Sequence, residues 1–435
     1  MGRAARRFSA RSRRERGAVS AAQLLRRAAA AAASPGVRAP SLPLPGRTPN
    51  LRPRRGAARC ARVAGRGLGL VAARPLAAGT TVVCEKAVAM VLDAEIDAAA
   101  DGESDDGDDG DADAAGADGA LLVLRLCRIV AADETTARSK LERLFPRTPA
   151  EAARLRPWRC GLPGLDRLVR TALAATPPDL AARLPHVARY NALDCHTGGE
   201  RLSYPLLAEN RLAGVALFAR GSLFNHGDDP NVARWHVGDV CCFRTNRFVN
   251  AGEELTMAYC DSALLKDGDA ARTALAHFDF VEPPAAAARP LLGVDEQREL
   301  MALPAGARLE ALAALGDCAL AHDRLQQHLL RALALRDPEA ALDAWIAALE
   351  VADAALPPHD EQVVALRVAA AKAALAAGDA ACARVLFRAA AAAHGVAFAP
   401  GRAAFRARYA PDLDLATTAA PVDAADLWRL LRRGA

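Results

Sequence analysis

The chain has 435 residues, which is more than one compact domain usually needs and predicts two or three domains. Its formal net charge of +5 is unevenly placed, because residues 1–62 hold 16 Arg and a single acidic residue, Glu15. Residues 63–435 carry 40 basic and 50 acidic residues, a formal net charge of −10. An acidic folded part excludes the general electrostatic argument for a nucleic-acid-binding surface.

Residues 1–62 form a basic leader rich in Arg, Ala and Ser, without a continuous apolar run. This composition is typical of an organelle transit peptide, and its clustered Arg residues fit a nuclear import sequence equally well. We expect a disordered or transit-like segment, and a protein that is nuclear, cytoplasmic or imported into an organelle but not secreted. No charge-free run of about 18 apolar residues occurs, so no membrane span is predicted.

The ten cysteines show no C-x-x-C spacing, which argues against a structural zinc module and fits a reducing compartment. Cys241 and Cys242 stand side by side in a β-like run, where small buried hydrophobic residues are the expected role.

In chain order, folded sequence is expected to start near Val63, with a turn and a strand over residues 65–71 and a β-branched strand at residues 80–83. Residues 101–118 hold eight Asp and Glu103, which predicts a solvated, disordered loop. Helical spacing follows at residues 121–130, 140–145, 164–174 and 180–189, so that a helical insert is predicted at about residues 98–212. Short strand-like pieces return after Gly214 and continue to Tyr259.

Beyond residue 295 the chain is Ala- and Leu-rich and is interrupted by Pro and Gly. Residues 339–355, 360–377 and 379–394 predict antiparallel helices similar to a tetratricopeptide-type stack, although no clean 34-residue repeat is visible. Such a region either packs as a scaffold or offers a groove to a protein partner.

Two segments carry the strongest functional signal: residues 225–231 read N-H-G-D-D-P-N, and residues 252–259 read G-E-E-L-T-M-A-Y. They occur in order after Gly65-x-Gly67-Leu68, N-A-L at residues 191–193 and S-L-F at residues 222–224, and before F-D-F at residues 278–280. This series resembles the SET-domain protein lysine methyltransferases, most closely the branch of SET and MYND-domain proteins. The resemblance covers residues 63–284 firmly and the helical tail loosely.

The resemblance implies an α+β fold, a SET-type β-clip of short strands with a helical insert, followed by an all-α helical domain similar to tetratricopeptide stacks. The implied domains are a SET domain at residues 63–284, including a post-SET tail at 263–284, and a helical domain at residues 285–435. The implied activity is S-adenosylmethionine-dependent N-methylation of a lysine side chain in a protein or histone. Partners would be a lysine-bearing protein or peptide and a protein at the helical domain, with no direct nucleic acid and no membrane.

The family's functional positions carry over residue by residue. Tyr259 is the implied catalytic residue, and Ser222 and Phe278 are the implied substrate-channel residues. The implied cofactor-binding residues are Gly65, Arg66, Gly67, Leu68, Asn191, Asn225, His226 and Phe280. Each has a structural alternative: Asn225 could cap a turn before Pro230, and Tyr259 could be an ordinary strand residue. Glu253 and Glu254 are expected to hold the two segments together rather than to act as general bases.

The sequence departs from the family in two ways. It has no cysteine cluster for a MYND finger, and Asp228, Glu282 and Pro284 stand at positions where the family has zinc-binding cysteines. Zinc is therefore not expected, although a carboxylate-substituted site using Asp228 and Glu282 stays open. Two other functions are also open: a catalytically weak, SET-derived binding or scaffold protein, and a helical-repeat adaptor.

Overall fold

The structure is a computed structural model that describes residues 56–92, 95–96, 99, 116–195, 214–237, 239–276, 278, 290–357, 359–398 and 405. Several predictions fall outside these residues: most of the leader and of the acidic stretch, the three positions Phe280, Glu282 and Pro284, and the end of the helical region.

Ten short strands form three small sheets. The first sheet has the order β1-β2-β10-β7, the second β3-β9-β8 and the third β4-β6-β5. All the described pairs are antiparallel except β7 with β10, which is parallel. The strands are β1 (Ala58–Val63), β2 (Gly67–Ala72), β3 (Thr81–Lys86), β4 (Ala89–Leu92), β5 (Ala192–Cys195), β6 (Gly214–Leu217), β7 (Asn225–His226), β8 (Val232–Val237), β9 (Val240–Thr245) and β10 (Glu254–Met257).

Strand β1 lies within the segment expected to be a leader. It begins at Ala58 because it pairs along its whole length with β2, from Ala58 opposite Ala72 to Val63 opposite Gly67. Ala57, just before it, is 1% exposed. The last residues of the basic segment therefore belong to the folded part of the chain.

The predicted helical insert is present, and its helices pack beside the third sheet. Its first helix is apolar on nearly every side, with Leu122, Val123 and Leu126 fully buried, so it forms the centre of the first core. This helix begins at Gly116, inside the stretch expected to be a loop. The helices of this part are α1 (Gly116–Ala132), α2 (Glu134–Leu141), α3 (Pro149–Ala152), α4 (Pro163–Ala174), α5 (Pro178–Ala181), α6 (Leu184–Asn191) and, after the last strand, α7 (Gly268–Ala274).

The C-terminal helices form a second core and agree closely with the predicted ones. Their small residues, such as the fully buried Ala348 and Ala352, allow neighbouring helix backbones to approach. Asp337, Asp360 and Asp379 each cap a helix by accepting a hydrogen bond from a backbone N–H two or three residues on. These helices are α8 (Val294–Ala302), α9 (Ala305–Ala314), α10 (Ala321–Ala334), α11 (Pro338–Ala355), α12 (Glu361–Ala376) and α13 (Ala380–Ala397). An α+β fold with an all-helical C-terminal region is confirmed, whereas the similarity of that region to a tetratricopeptide-type stack stays a prediction.

The two cores meet where the second sheet lies against the end of α13. The ring of Trp235 on β8 packs edge-on to Phe398, with centroids 6.3 Å apart. Arg244 on β9 is 3% exposed, and its guanidinium donates to the carbonyl oxygens of Gly79 and Phe398. No helix among the described residues is both long and apolar enough to cross a membrane.

Candidate active site

Residues 225–231 and 252–259 are held together as a backbone knot. Strand β7 pairs in parallel with β10, so that Asn225 lies opposite Thr256 and His226 opposite Met257. The pairing continues when the Gly227 N–H donates to the Met257 carbonyl at 3.1 Å. A Cβ on Gly227 would stand 2.6 Å from Oγ1 of Thr256, so this position requires glycine for close approach.

Asn231 joins the two segments through its side chain, which is 2% exposed. Its Oδ1 accepts a hydrogen bond from the Thr256 N–H at 2.9 Å, and its Nδ2 donates to the Glu254 carbonyl at 2.8 Å. Nδ2 also lies 3.2 Å from Oε1 of Glu253. One amide thus bonds two backbone groups of β10, as expected for buried polar groups.

The turn between β1 and β2 packs against the knot. Gly65 and Gly67 have φ values of +71° and +80°, the left-handed region that favours glycine. Between them, Arg66 donates to the His226 carbonyl at 2.8 Å and lies 3.4 Å from a carboxylate oxygen of Glu254. Leu68 follows at the half-buried start of β2.

Glu254 ties this turn to Asn225. Its Oε1 accepts a hydrogen bond from Nδ2 of Asn225 at 2.7 Å. Gly69 leaves room for this bond, because a Cβ there would stand 2.6 Å from the same Nδ2 atom. The expectation that Glu254 holds the segments together agrees with these contacts. Arg66, which is distant in sequence from Asn225 and His226, therefore shares one surface with them.

His226 is held as a neutral ring. Its Nδ1 accepts a hydrogen bond from the Tyr259 backbone N–H at 3.1 Å, which requires that nitrogen to be unprotonated. Burial lowers the pKa of His226, and the nearby Asp228 carboxylate offsets part of that effect. Nε2 lies 3.3 Å from Oδ1 of Asp228 and makes no aligned hydrogen bond with any residue that the structure describes.

Tyr259 stands between the knot and a cavity. Its hydroxyl donates to the Phe224 carbonyl at 2.6 Å, and its ring centroid lies 5.6 Å from His226 and 5.4 Å from Phe278. Burial raises the pKa of Tyr259 to about 12, so the phenol keeps its proton at neutral pH. The hydroxyl oxygen also has lone pairs that can accept a further contact.

The cavity beside Tyr259 has a volume of about 460 Å³ and brings four of the predicted site residues together: Asn191, Ser222, Tyr259 and Phe278. An aromatic wall runs along it, because the Phe278 ring lies 6.4 Å from that of Tyr190 as well as 5.4 Å from that of Tyr259. The other lining residues include Leu122, Ala188, Leu193, Val215, Met257 and Ala258, with Asp118, Arg189, Asp194 and Arg234 as the charged groups.

Asn191 and Ser222 brace the cavity wall. The Asn191 amide donates to the carbonyls of Phe145 and Val187, at 2.5 and 3.0 Å, which engages its NH₂ group. The Ser222 hydroxyl donates to the Asn191 carbonyl at 2.7 Å. In this arrangement the side-chain oxygen of Asn191 is the part that can still face a ligand.

Glu85 supports the turn that carries Ser222. It lies on β3 and accepts hydrogen bonds from the backbone N–H groups of Arg220 and Gly221. Burial raises the pKa of Glu85, and these two backbone hydrogen bonds act in the opposite direction. No motif marks this residue in the sequence, because its partners are 135 residues away.

Among the cavity residues that the sequence did not predict, Arg234 has the largest effect on the chemistry of the site. Its Nη1 is buried and has no hydrogen-bond partner among the described residues. Its positive charge acts on the Tyr259 phenol, where it lowers the pKa against the larger effect of burial. Arg234 stands on β8 outside every recognisable motif, so only the fold reveals its position. An arginine here places a fixed cation beside the space that a ligand would enter.

The expectation that the protein holds no zinc stays a prediction. Within the described ranges, no group of three or more His, Cys, Asp or Glu side chains is placed to hold a metal ion. Asp228 is exposed, and Glu282 lies outside those ranges, so the carboxylate alternative has only one visible member.

The family model of the SET domain matches residues 67–260, so the chain contains a SET domain. This confirms the resemblance on which the site residues were predicted, while the assignment to the MYND-related branch stays a prediction. No protein in the curated set matches the chain.

Several solved structures are similar at low identity. The SET domain of LSMT bound to lysine and AdoHcy is 14% identical, covering 70% of this chain and 78% of that one, with a TM-score of 0.30. The same domain bound to methyl-lysine and AdoHcy is 15% identical, covering 77% and 86%, also with a TM-score of 0.30. Rubisco LSMT bound to AdoMet is 14% identical, covering 87% and 95%, with a TM-score of 0.29. These values are too low to carry conclusions about activity.

Proposed function

We propose that the protein is an S-adenosylmethionine-dependent protein-lysine N-methyltransferase. The observation that carries the proposal is the position of Tyr259. Its backbone N–H is held by His226 of the knot, and its ring forms the wall of the cavity beside Phe278. One residue therefore links the predicted cofactor surface to the predicted substrate channel.

The residues of the knot fit such a cofactor. A Cβ placed on Gly65 or Gly67 would have no atom within 4 Å, so open space adjoins the turn. The buried Nε2 of His226 lacks an aligned partner among the residues described, and the Arg66 guanidinium suits a carboxylate. Gly65, Arg66, Gly67, Leu68, Asn225 and His226 would hold the cofactor, with the oxygen of Asn191 facing it from the cavity side. Phe280 keeps its predicted role outside the described residues.

When bound, S-adenosylmethionine supplies an electrophilic methyl group on a sulfonium. The protein's own task is to position an amine and keep it neutral. Positioning of two reactants is worth up to about 7–11 kcal/mol in favourable cases. The Tyr259 hydroxyl, fixed by the Phe224 carbonyl, would orient the amine, and Phe278 and Tyr190 would remove water from the lysine stem.

Two features would lower the pKa of a lysine ammonium in the cavity from its usual value near 10.4. The apolar wall disfavours the charged form and the Arg234 cation repels it, against the opposite effect of the Asp118 and Asp194 carboxylates in the same lining. The proton would leave through water, since no carboxylate in contact with Tyr259 is needed as a base. The acidic balance of residues 63–435 suits a basic substrate segment, whether from a histone or another protein.

Arg234 also favours a second candidate, a SET-derived binding protein without turnover. A fixed cation in the cavity repels the ammonium form in which most lysines arrive, and it attracts a carboxylate instead. The helical C-terminal region would then serve partner recognition. The two candidates differ in a single observable, which is methyl transfer.

Calorimetric titration with S-adenosylmethionine tests the cofactor assignment. We expect saturable binding by the wild type and strong weakening in Asn225→Ala, with Asn250→Ala as a matched control because Asn250 is exposed in the connection between β9 and β10. No heat of binding in the wild type would refute both the cofactor and the enzyme.

Transfer of a labelled methyl group to proteins of a lysate then tests turnover. Label in the wild type and none in Tyr259→Phe supports the enzyme. Cofactor binding without any transfer supports the binding protein.

A further inference from the structure

Two thiols outside the proposed reaction lie in direct contact. Cys84 on β3 and Cys242 on β9 are partners in the antiparallel register, and their Sγ atoms are 2.9 Å apart. Both are free thiols in the structure. The adjacent Cys241 pairs with Glu85 instead, so its side chain points to the opposite face of the sheet.

The register places this pair within reach of a covalent link. Residues directly opposite each other in an antiparallel pair have Cα atoms about 4.5–5.5 Å apart, and their side chains share one face. A disulfide spans Cα separations of about 4.4–6.8 Å. A bond between Cys84 and Cys242 therefore needs no change of register, only an approach of the two Sγ atoms from 2.9 Å to a bond length of about 2.05 Å.

The two thiols differ in access and reactivity. Cys84 is half-buried, whereas Cys242 is 1% exposed. The hydrogen bond from Cys242 lowers the pKa of Cys84, and the same contact together with burial raises the pKa of Cys242. Cys84 is thus both the reachable thiol and the one that more readily forms a thiolate, which is the nucleophilic species.

We propose that Cys84 and Cys242 are a reversible disulfide site that responds to small-molecule disulfides such as oxidised glutathione. The Cys84 thiolate attacks one sulfur of the oxidant, forms a mixed disulfide and releases one glutathione thiolate. Cys242 then loses its proton and attacks Sγ of Cys84, which releases the second glutathione. The two protein thiols give up two electrons and two protons, and the oxidant becomes two thiols.

The link would act at a defined place in the fold. Trp235, Cys242 and Cys84 form one row across β8, β9 and β3, and Trp235 packs on Phe398 at the end of α13. The next residue after Cys84 is Glu85, which holds the turn at Arg220 and Gly221. The bond would therefore fix β3 to β9 between the helical region and the turn that carries Ser222.

The bond would also join residues 158 positions apart, so it restricts the unfolded chain strongly. We expect a higher Tm in oxidised protein than in reduced protein. Reduction with dithiothreitol should return the Tm to its lower value.

Peptide mapping of the full chain tests the site. The protein is equilibrated with oxidised or reduced glutathione, quenched in acid, alkylated under denaturing conditions and digested without reduction. We expect a peptide linking Cys84 to Cys242 only in the oxidised sample, with both thiols alkylated in the reduced one. Alkylation of both thiols after full oxidation, or a link from Cys84 to Cys241, would overturn the proposal.

Serine variants separate the pair from its neighbour. Cys84→Ser and Cys242→Ser should each lose the rise in Tm on oxidation, whereas Cys241→Ser should keep both the rise and the link. If a variant fails to fold, the wild-type map still decides the outcome. The readout is independent of methyl transfer, so failure of the proposed function would leave this test intact.

Discussion

Replacement of Asn231 by Ala measures what holds the knot together. The change removes the acceptor for the Thr256 N–H and the donor for the Glu254 carbonyl, both at a site that is 2% exposed. A buried polar group left without a partner costs about 1–3 kcal/mol, so the two orphaned groups predict a loss of about 4 kcal/mol. The Glu253 carboxylate adds little, because it keeps hydrogen bonds from Arg247 and Asn250.

Urea unfolding measures the loss of stability, which should appear as a lower midpoint concentration of urea with an unchanged slope of unfolding free energy against urea. Hydrogen exchange gives the location, since the Thr256 amide should lose protection before the amides of β1 do. Asn250→Ala is the control: the residue is exposed in the connection between β9 and β10, and its replacement should stay within about 0.5 kcal/mol of the wild type. A cost below about 1 kcal/mol for Asn231→Ala, or equal costs for the two variants, would refute this account.

Three further outcomes follow from the cavity and its neighbours. Tyr259→Phe should lose methyl transfer while keeping affinity for S-adenosylmethionine. The lost hydrogen bond to the Phe224 carbonyl should lower the free energy of unfolding by about 1 kcal/mol. Unchanged turnover would show that Tyr259 is not the catalytic residue. Arg234→Met should move the acidic limb of kcat to higher pH by about one unit, because a nearby cation lowers the pKa of the amine bound in the cavity. Arg234→Lys should leave the limb in place, and an unmoved limb in the Met variant contradicts the reasoning. The pKa of His226 is lower in the folded protein than the value near 6.5 of the unfolded chain, so its contribution to stability is complete above pH 6.5 and is lost as the pH falls through the folded-state pKa. The free energy of unfolding should therefore fall as the pH is lowered in the wild type, and His226→Asn should remove this dependence. Parallel plots of unfolding free energy against pH for the two proteins would disprove the argument.

The fold was largely predictable because its signals are local. The C-terminal helices follow from Ala- and Leu-rich runs bounded by Pro and Gly, and the structure ends them within a few residues of those boundaries. Strand β1 was not predicted, since its sequence, A-R-C-A-R-V, reads as part of a basic leader. This strand forms because it pairs with β2, and the pattern of residue types within the segment does not indicate that pairing.

The contacts of the knot follow from contiguous motifs in the sequence, whereas the roles of its residues stay predictions. Asn225, His226 and Tyr259 belong to contiguous segments, and the fold joins His226 to Arg66 on one side and to Tyr259 on the other. Arg234 and Glu85 could not be found in this way. Their importance comes from where β8 and β3 place them, and neither residue type nor spacing in the sequence indicates a cavity or a distant turn.

The pairing of β2 with β10 has a consequence for how the chain is made. Val71 lies opposite Glu254, so β2 cannot pair with β10 until the ribosome has added more than 180 further residues. Contacts of such long sequence separation slow folding, because the entropy of the intervening loop is lost before the strand pairing contributes any stabilisation. Until Met257 is synthesised, His226 lacks its opposite residue in the sheet. A product cut short before that point would contain the sequence of the described insert helices but would lack the pairing of β7 with β10 on which the proposed cofactor site depends.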